Sequence, residues 1–154
     1  MPSGWRIVQA KYVATAFSGE GARLFGGRWN SPGLPLVYLS AHQSLAALEI
    51  LIHSRPLSPR GDYVAIHAEW EDSLMERLPQ RKLPDGWRLS PPGLATMRIG
   101  DDWARAKRSP VLAVPSAIIP SETNFLLNPV HPDFGRLARA KPLPFVFDVR
   151  LLPR

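Results

Sequence analysis

Proline punctuates this chain from end to end. There are seventeen in 154 residues, roughly twice the usual share, and no stretch concentrates them. Each fixes φ at about −65° and removes a backbone donor, so each shortens the helix or strand around it. The sequence therefore predicts many short elements joined by rigid turns, not a disordered Pro-rich tail. The apolar and charged fractions, 45% and 21%, are those of a soluble globular protein with a real core. A single compact domain over residues 1–154 is the expectation from length.

Within that frame the segmentation is readable. Trp5 to Ala10 reads as a first strand. Ala16 to Arg28, with Gly19, Gly21, Gly26 and Gly27, reads as loop. Asn30-Ser-Pro-Gly33 is a turn with Pro32 and Gly33 at its centre, and Leu36 to Leu39 a short buried strand. Ser40 or Ser44 then caps a helix to about His53. Leu45, Leu48 and Ile52 would be its buried stripe, and Pro56 and Pro59 its stop. Tyr63 to Trp70 alternates, with Val64, Ile66, Ala68 and Trp70 on one face. Leu78 to Pro92 reads as loop and Gly93 to Arg98 as one or two helical turns. Asp101 or Asp102 caps a separate helix through Lys107. Val111 to Val114 is a strand, and Ser121 caps a short turn before Asn124-Phe125. Asn128-Pro129 and His131-Pro132 stiffen a loop, and Phe145 to Leu151 is a terminal strand. Scattered strands that outnumber long helices predict an α+β fold with a mixed or antiparallel sheet and short flanking helices. The absence of a strand–GxGxxG–helix unit argues against a Rossmann fold.

Several classes of chemistry drop out. The chain has no cysteine, which removes disulfides, thiolate nucleophiles and Cys-based metal sites. Its four histidines, His42, His53, His67 and His131, lack metal-ligand spacing, so no metal site is expected. The first residues, MPSGWRIVQAKYV, have no signal-type apolar core. No apolar run approaches the roughly 18 residues that span a bilayer, and a cytoplasmic location is the default. The net charge of +6 suits a polyanion or an acidic partner, or simply solubility.

The segment from Gly26 to Leu51, GGRWNSPGLPLVYLSAHQSLAALEIL, holds the densest chemistry. Arg28 follows two glycines that permit close backbone approach to an anion, and its guanidinium can grip phosphate through paired hydrogen bonds. It can equally be a surface arginine in a flexible turn. Tyr38 is either a core tyrosine or a stacking face for an aromatic base. Glu49 is either solvated and paired with His53 at i+4, or turned into a pocket. In a pocket it suits stabilising the oxocarbenium ion formed when an N-glycosidic bond breaks. Ser116 follows the strand VLAVP without a G-x-S-x-G elbow or a base, so a hydrolase nucleophile is not expected there. Capping a turn and hydrogen-bonding a substrate are its two readings. The basic runs Arg77/Arg81/Lys82, Arg105/Lys107/Arg108 and Arg136/Arg139/Lys141 read as solvated faces, one of which could dock an acidic partner.

Taken together these residues resemble the RES-domain family, named for an arginine, a glutamate and a serine. The resemblance runs through Trp5-Arg6-Ile7, GEGARLFGGRWNSPG, the strand with Tyr38, SLAALEIL, Trp103, VPSAIIPSETNFLLNPVHPDF and FVFDVRLL. It implies an ADP-ribosyltransferase-like fold, with split sheets around an NAD-binding cleft. It implies the toxin of a type II toxin–antitoxin pair that cleaves the nicotinamide–ribose bond of NAD, as a glycohydrolase or phosphorylase. NAD would be the substrate, with no further cofactor. Arg28 and Arg6 would hold the pyrophosphate, Tyr38 would stack on nicotinamide, Glu49 would face the ribose and Ser116 would position the substrate. An Xre-like antitoxin would form a hetero-oligomer that blocks the cleft and would itself carry any DNA binding. No antitoxin is expected to be fused after Leu152. The alternatives are a mono-ADP-ribosyltransferase acting on a protein and, from the basic charge and five tryptophans, a small ribonuclease or RNA-binding module. The loop between Trp70 and Trp103 carries no motif and is the candidate for setting the acceptor.

Overall fold

The computed structural model describes residues 1–53 and 61–152. Its strands are β1 (Ser3–Gln9), β2 (Val37–Ser40), β3 (Tyr63–Glu69), β4 (Met75–Arg77), β5 (Val111–Pro115), β6 (Thr123–Leu127), β7 (Ala138–Arg139) and β8 (Leu143–Phe145). They form one mixed sheet in the order β4-β5-β6-β2-β1-β3-β7, with β8 also on β3. Among the described residues only the β4–β5 pair is parallel. The sheet is almost divided in two. β1 pairs with β3 along its whole length but meets β2 at a single register pair, Trp5 with Ser40. The expected split is therefore a seam inside a continuous sheet. Among the described residues no helix is long and apolar enough to cross a membrane.

Strand alternation divides the core between the two sheet faces. Val37, Leu39, Ile66, Ala68, Val111, Ala113, Phe125 and Leu127 share one face, which Ala16, Phe17, Leu74 and Leu137 cover. The opposite face carries two helices. Helix α2 (Gln43–His53) lies on the β1–β3 half, where Ala46 and Ile50 pack with Ile7, Tyr63, Ala65 and Phe147. Helix α3 (Leu94–Ala106) lies on the β2–β6–β5 half, where Trp103 and Ala104 pack with Leu36, Leu112, Val114 and Leu126. The seam falls between the territories of the two helices.

Several elements differ from the sequence reading, each for a local reason. Ala16 to Arg28 is not all loop: a six-residue helix α1 (Glu20–Phe25) forms inside it. Gly19 and Gly26, at φ 74° and 72°, bound that helix instead of breaking it. The expected turn is present, with Leu34 N–H bonded to the Ser31 carbonyl at 3.3 Å and Gly33 at φ 102°, as a Pro-Gly turn centre requires. In α2 the buried residues are Leu45 and Ala46, while Leu48 and Ile52 are exposed. The inward face therefore includes Glu49 and Ile50. The predicted stops Pro56 and Pro59 lie outside the described residues.

The two short helices expected around residue 100 are one. Gly100 lets it run on, because a Cβ there would stand 1.7 Å from the Trp29 carbonyl oxygen. Asp101 does not cap a helix; its buried carboxylate accepts from the Ser31 N–H at 2.9 Å and the Ser31 hydroxyl at 2.6 Å. The short turn expected before Asn124-Phe125 is present at residues 120–122, and Thr123–Leu127, to which the sequence reading assigned no element, is the strand joining β2 to β5. The expected terminal strand stops at Phe145. Phe147 is buried, but Val149 and Leu151 face solvent.

Candidate active site

The seam opens as a cleft of about 950 Å³, at the upper end of the range for small-molecule sites. Its walls come from β1, the turn at Gly26–Trp29, β2, α2, Ser90–Pro92, Met97 of α3, Ala117–Ile118 and Asn124. Among the described residues, its charged lining is Arg6, Arg28, Arg88 and Glu49, with His53 beside the carboxylate. Three guanidiniums around one carboxylate suit an anionic ligand with a locally cationic centre.

Glu49 reaches this cleft because α2 turns its Ala46–Glu49–Ile50 side toward the sheet. Oε1 accepts from Asn124 Nδ2 at 2.8 Å and from the Ser116 hydroxyl at 3.2 Å. Oε2 lies 3.2 Å from His53 Nε2. Both readings of Glu49 are thus realised together: it has its i+4 histidine and also faces a pocket. Burial pushes its pKa up, but hydrogen bonds from His53, Asn124 and Ser116, with His53's charge, outweigh burial and leave it below the ordinary glutamate value. The carboxylate is held ionised.

Asn124 is oriented in turn. The Ser40 hydroxyl donates to its Oδ1 at 2.7 Å, which directs the amide N–H toward Glu49. Ser40 and Asn124 are cross-strand partners on β2 and β6. Sequence reasoning missed Asn124, since its role depends on a register that brings residues 75 positions apart into contact. Ser116 is fully buried and lines no part of the cleft. Its oxygen accepts from the Ile118 and Ile119 N–H groups, each at 3.1 Å, while its proton goes to Glu49. It stands behind the carboxylate, where it braces Glu49; the expected position beside the substrate differs from this placement.

Tyr38 projects from β2 and lines the cleft. Its hydroxyl donates to Asn30 Oδ1 at 2.6 Å and accepts from the Trp29 N–H at 3.2 Å. Burial raises its pKa beyond the ordinary tyrosine range, so it stays neutral. Gly27 is required here by proximity, since a Cβ would sit 2.7 Å from the Tyr38 hydroxyl. Asn30, also fully buried, donates to the carbonyls of Ala22, Ser31 and Leu34. The glycine-rich turn is therefore rigid, which fits the large Trp29 side chain packed beneath it.

Arg28 extends from that turn into the cleft. Its Nη1 donates to the carbonyls of Trp87 and Leu89, both at 2.8 Å. Among the described residues Nε and Nη2 have no partner. Burial lowers its pKa, against the pull of Glu49 and Tyr38, and a guanidinium so placed stays charged. Arg6 is spent differently. It spans the seam, with Nε on the Ala16 carbonyl at 2.5 Å and Nη1 on the Tyr38 carbonyl at 3.0 Å. Burial lowers its pKa to about 10. Arg6 ties β2 to β1 where backbone pairing fails, and borders the cleft from below.

The chain is 40% identical over 148 residues to "Toxin Res" of Yersinia enterocolitica, covering 96% of this chain and 97% of that one. It is 35% identical over 155 residues to the "Prs ADP-ribosylating toxin" of a Sphingobium strain, covering 97% and 96%. Its fold matches a chain in the crystal structure of the M. tuberculosis MbcT–MbcA toxin–antitoxin complex, with a TM-score of 0.76 at 21% identity, over 94% of this chain and 84% of the other. Residues 3–148 match the profile described as RES domain, and the chain belongs to the RES-domain family.

Proposed function

We propose that this protein is the toxin of a toxin–antitoxin pair and that its cleft cleaves the nicotinamide–ribose bond of NAD. The observation that carries the reading is the Glu49 carboxylate, ionised and braced by Asn124, Ser116 and His53, in the same cleft as the free edge of Arg28. Nicotinamide leaves NAD with the bonding electron pair, which turns its positive ring neutral and leaves positive charge on the ribose. An anion already fixed at that place stabilises the transition state without reorganising. Arg28 supplies donors for the pyrophosphate, and the Tyr38 ring offers a flat wall for nicotinamide. Water adds to the ribose carbon to give ADP-ribose and a proton; inorganic phosphate would give the 1-phosphate instead.

Purified protein incubated with NAD, with and without phosphate, tests this by mass analysis of products. Nicotinamide release is expected, and phosphate dependence identifies the acceptor. A folded, partner-free sample that leaves NAD intact refutes it.

A second reading keeps the cleft and changes the acceptor: transfer of ADP-ribose to a protein. The 35% identity to a relative named as ADP-ribosylating favours it. NAD labelled on adenine would then mark a protein band in place of free ADP-ribose. In either case the partner is an antitoxin, of Xre-like type, seated over the cleft in the cytoplasm. Phe25, 82% exposed at the cleft rim, offers an apolar contact for it.

A further inference from the structure

The loop between β4 and α3, silent in the sequence, is pinned across the cleft. Its Trp87 side chain packs into the core beneath α3. Arg28 Nη1 holds the carbonyls of Trp87 and Leu89, the two neighbours of Arg88. Arg88 itself reaches the other wall, where Nε donates to the Ala117 carbonyl at 2.9 Å. The peptide on both sides of Arg88 is therefore fastened to Arg28, and its side chain is fastened to the segment after β5.

Two guanidiniums are thus set on one cleft with donors unused: Nε and Nη2 of Arg28, and both Nη groups of Arg88, have no partner among the described residues. Arg23, Arg77, Arg108, Arg136 and Arg150 each pair with a carboxylate, and Arg81, Arg98, Arg105 and Arg139, which pair with none among the described residues, lie outside the cleft. Arg28 and Arg88 line the cleft and pair with no carboxylate among the described residues. Glu49, the cleft's carboxylate, already has Asn124, Ser116 and His53. The acceptor these donors lack is an external one, and paired planar N–H groups match the oxygens of a phosphoryl group.

We propose that Arg88 is a second anion-binding residue of the cleft, forming with Arg28 a subsite for a phosphoryl oxyanion. The subsite rests on the NAD reading only for the source of its ligand, which is either the pyrophosphate of NAD or a free phosphate acting as acceptor.

Calorimetric titration with inorganic pyrophosphate tests the subsite without catalysis. Wild-type protein is expected to bind. Arg88→Ala is expected to weaken binding roughly tenfold or more, the scale of one charge-assisted contact. Arg88→Lys restores part of it, because the charge returns without the fork. Arg81→Ala, exposed on the same loop but outside the cleft, leaves it unchanged. Kinetics then assign the source. A raised KM for NAD with kcat retained points to the substrate's pyrophosphate; lost saturation by phosphate points to the acceptor. Wild-type protein that binds pyrophosphate but leaves NAD intact overturns the NAD reading and keeps the subsite. Absent wild-type binding, or a folded Arg88→Ala variant that binds within twofold of wild type, overturns the subsite.

Discussion

Replacing Glu49 by glutamine separates charge from shape. The glutamine oxygen can still accept from Ser116 and Asn124, and its amide can donate toward His53, so no buried donor loses its acceptor. The stability cost is that of weakening charge-assisted hydrogen bonds to neutral ones, about 1 kcal/mol. For a chain of this size that lowers Tm by about 2–4 °C. The catalytic cost is larger. A carboxylate about 4 Å from a developing ribose cation, at an effective dielectric near 20, contributes about 4 kcal/mol. Discounting for the His53 contact and for solvent at the cleft mouth, about 3 kcal/mol remains, roughly a hundredfold in rate. The assay is nicotinamide release in a single turnover, with calorimetric melting on the same samples. A folded Glu49→Gln protein cleaving NAD within about threefold of wild type would remove Glu49 from the chemistry.

Other consequences follow from the same geometry. Asn124→Ala removes the 2.8 Å donor that helps to hold Glu49 below the ordinary carboxylate range. The acid limb of kcat/KM therefore moves to higher pH. The Glu49 share of the lost stability is present above the unfolded glutamate pKa and disappears as pH falls through the folded value, while the loss of the acceptor for the Ser40 hydroxyl persists at every pH; an unmoved limb contradicts the assignment. Arg28→Ala is expected to raise KM for NAD roughly tenfold to a hundredfold, and an unchanged KM would place the pyrophosphate elsewhere. Tyr38→Phe keeps the ring but leaves Asn30 Oδ1 without its donor. It should cost about 1–2 kcal/mol in denaturant unfolding while KM for NAD stays near wild type. Gly100→Ala should destabilise by about 3 kcal/mol or more, since its Cβ would overlap the Trp29 carbonyl; a melting point equal to wild type would mean that α3 sits elsewhere.

Local chemistry made part of the site legible. Arg28, Tyr38 and Glu49 lie within one run of residues whose turn is written in Pro32 and Gly33 and whose strand is written in Leu36–Leu39. Alternation in Tyr63–Trp70 placed Val64, Ile66, Ala68 and Trp70 on one face, and they pack together in one core. The α2 stripe went astray because apolar periodicity alone cannot say which side of a helix meets the sheet. Leu48 and Ile52 are apolar yet exposed, and the inward position went to a charged residue that the sheet could satisfy.

Turn chemistry, strand alternation and the proline rhythm are properties of neighbours, so the sequence by itself determined most of the short elements, a mixed or antiparallel sheet and the side chains on offer. The partners of those side chains were decided by the tertiary structure. Asn124 meets Glu49 only because β6 pairs with β2, and Ser116 braces it only because β5 lies beside β6. Arg88 reaches the cleft only because Arg28 fastens the loop around it. Hydrogen bonds and charges act through space over a few ångströms, and the chain brings such distances together only once it has folded.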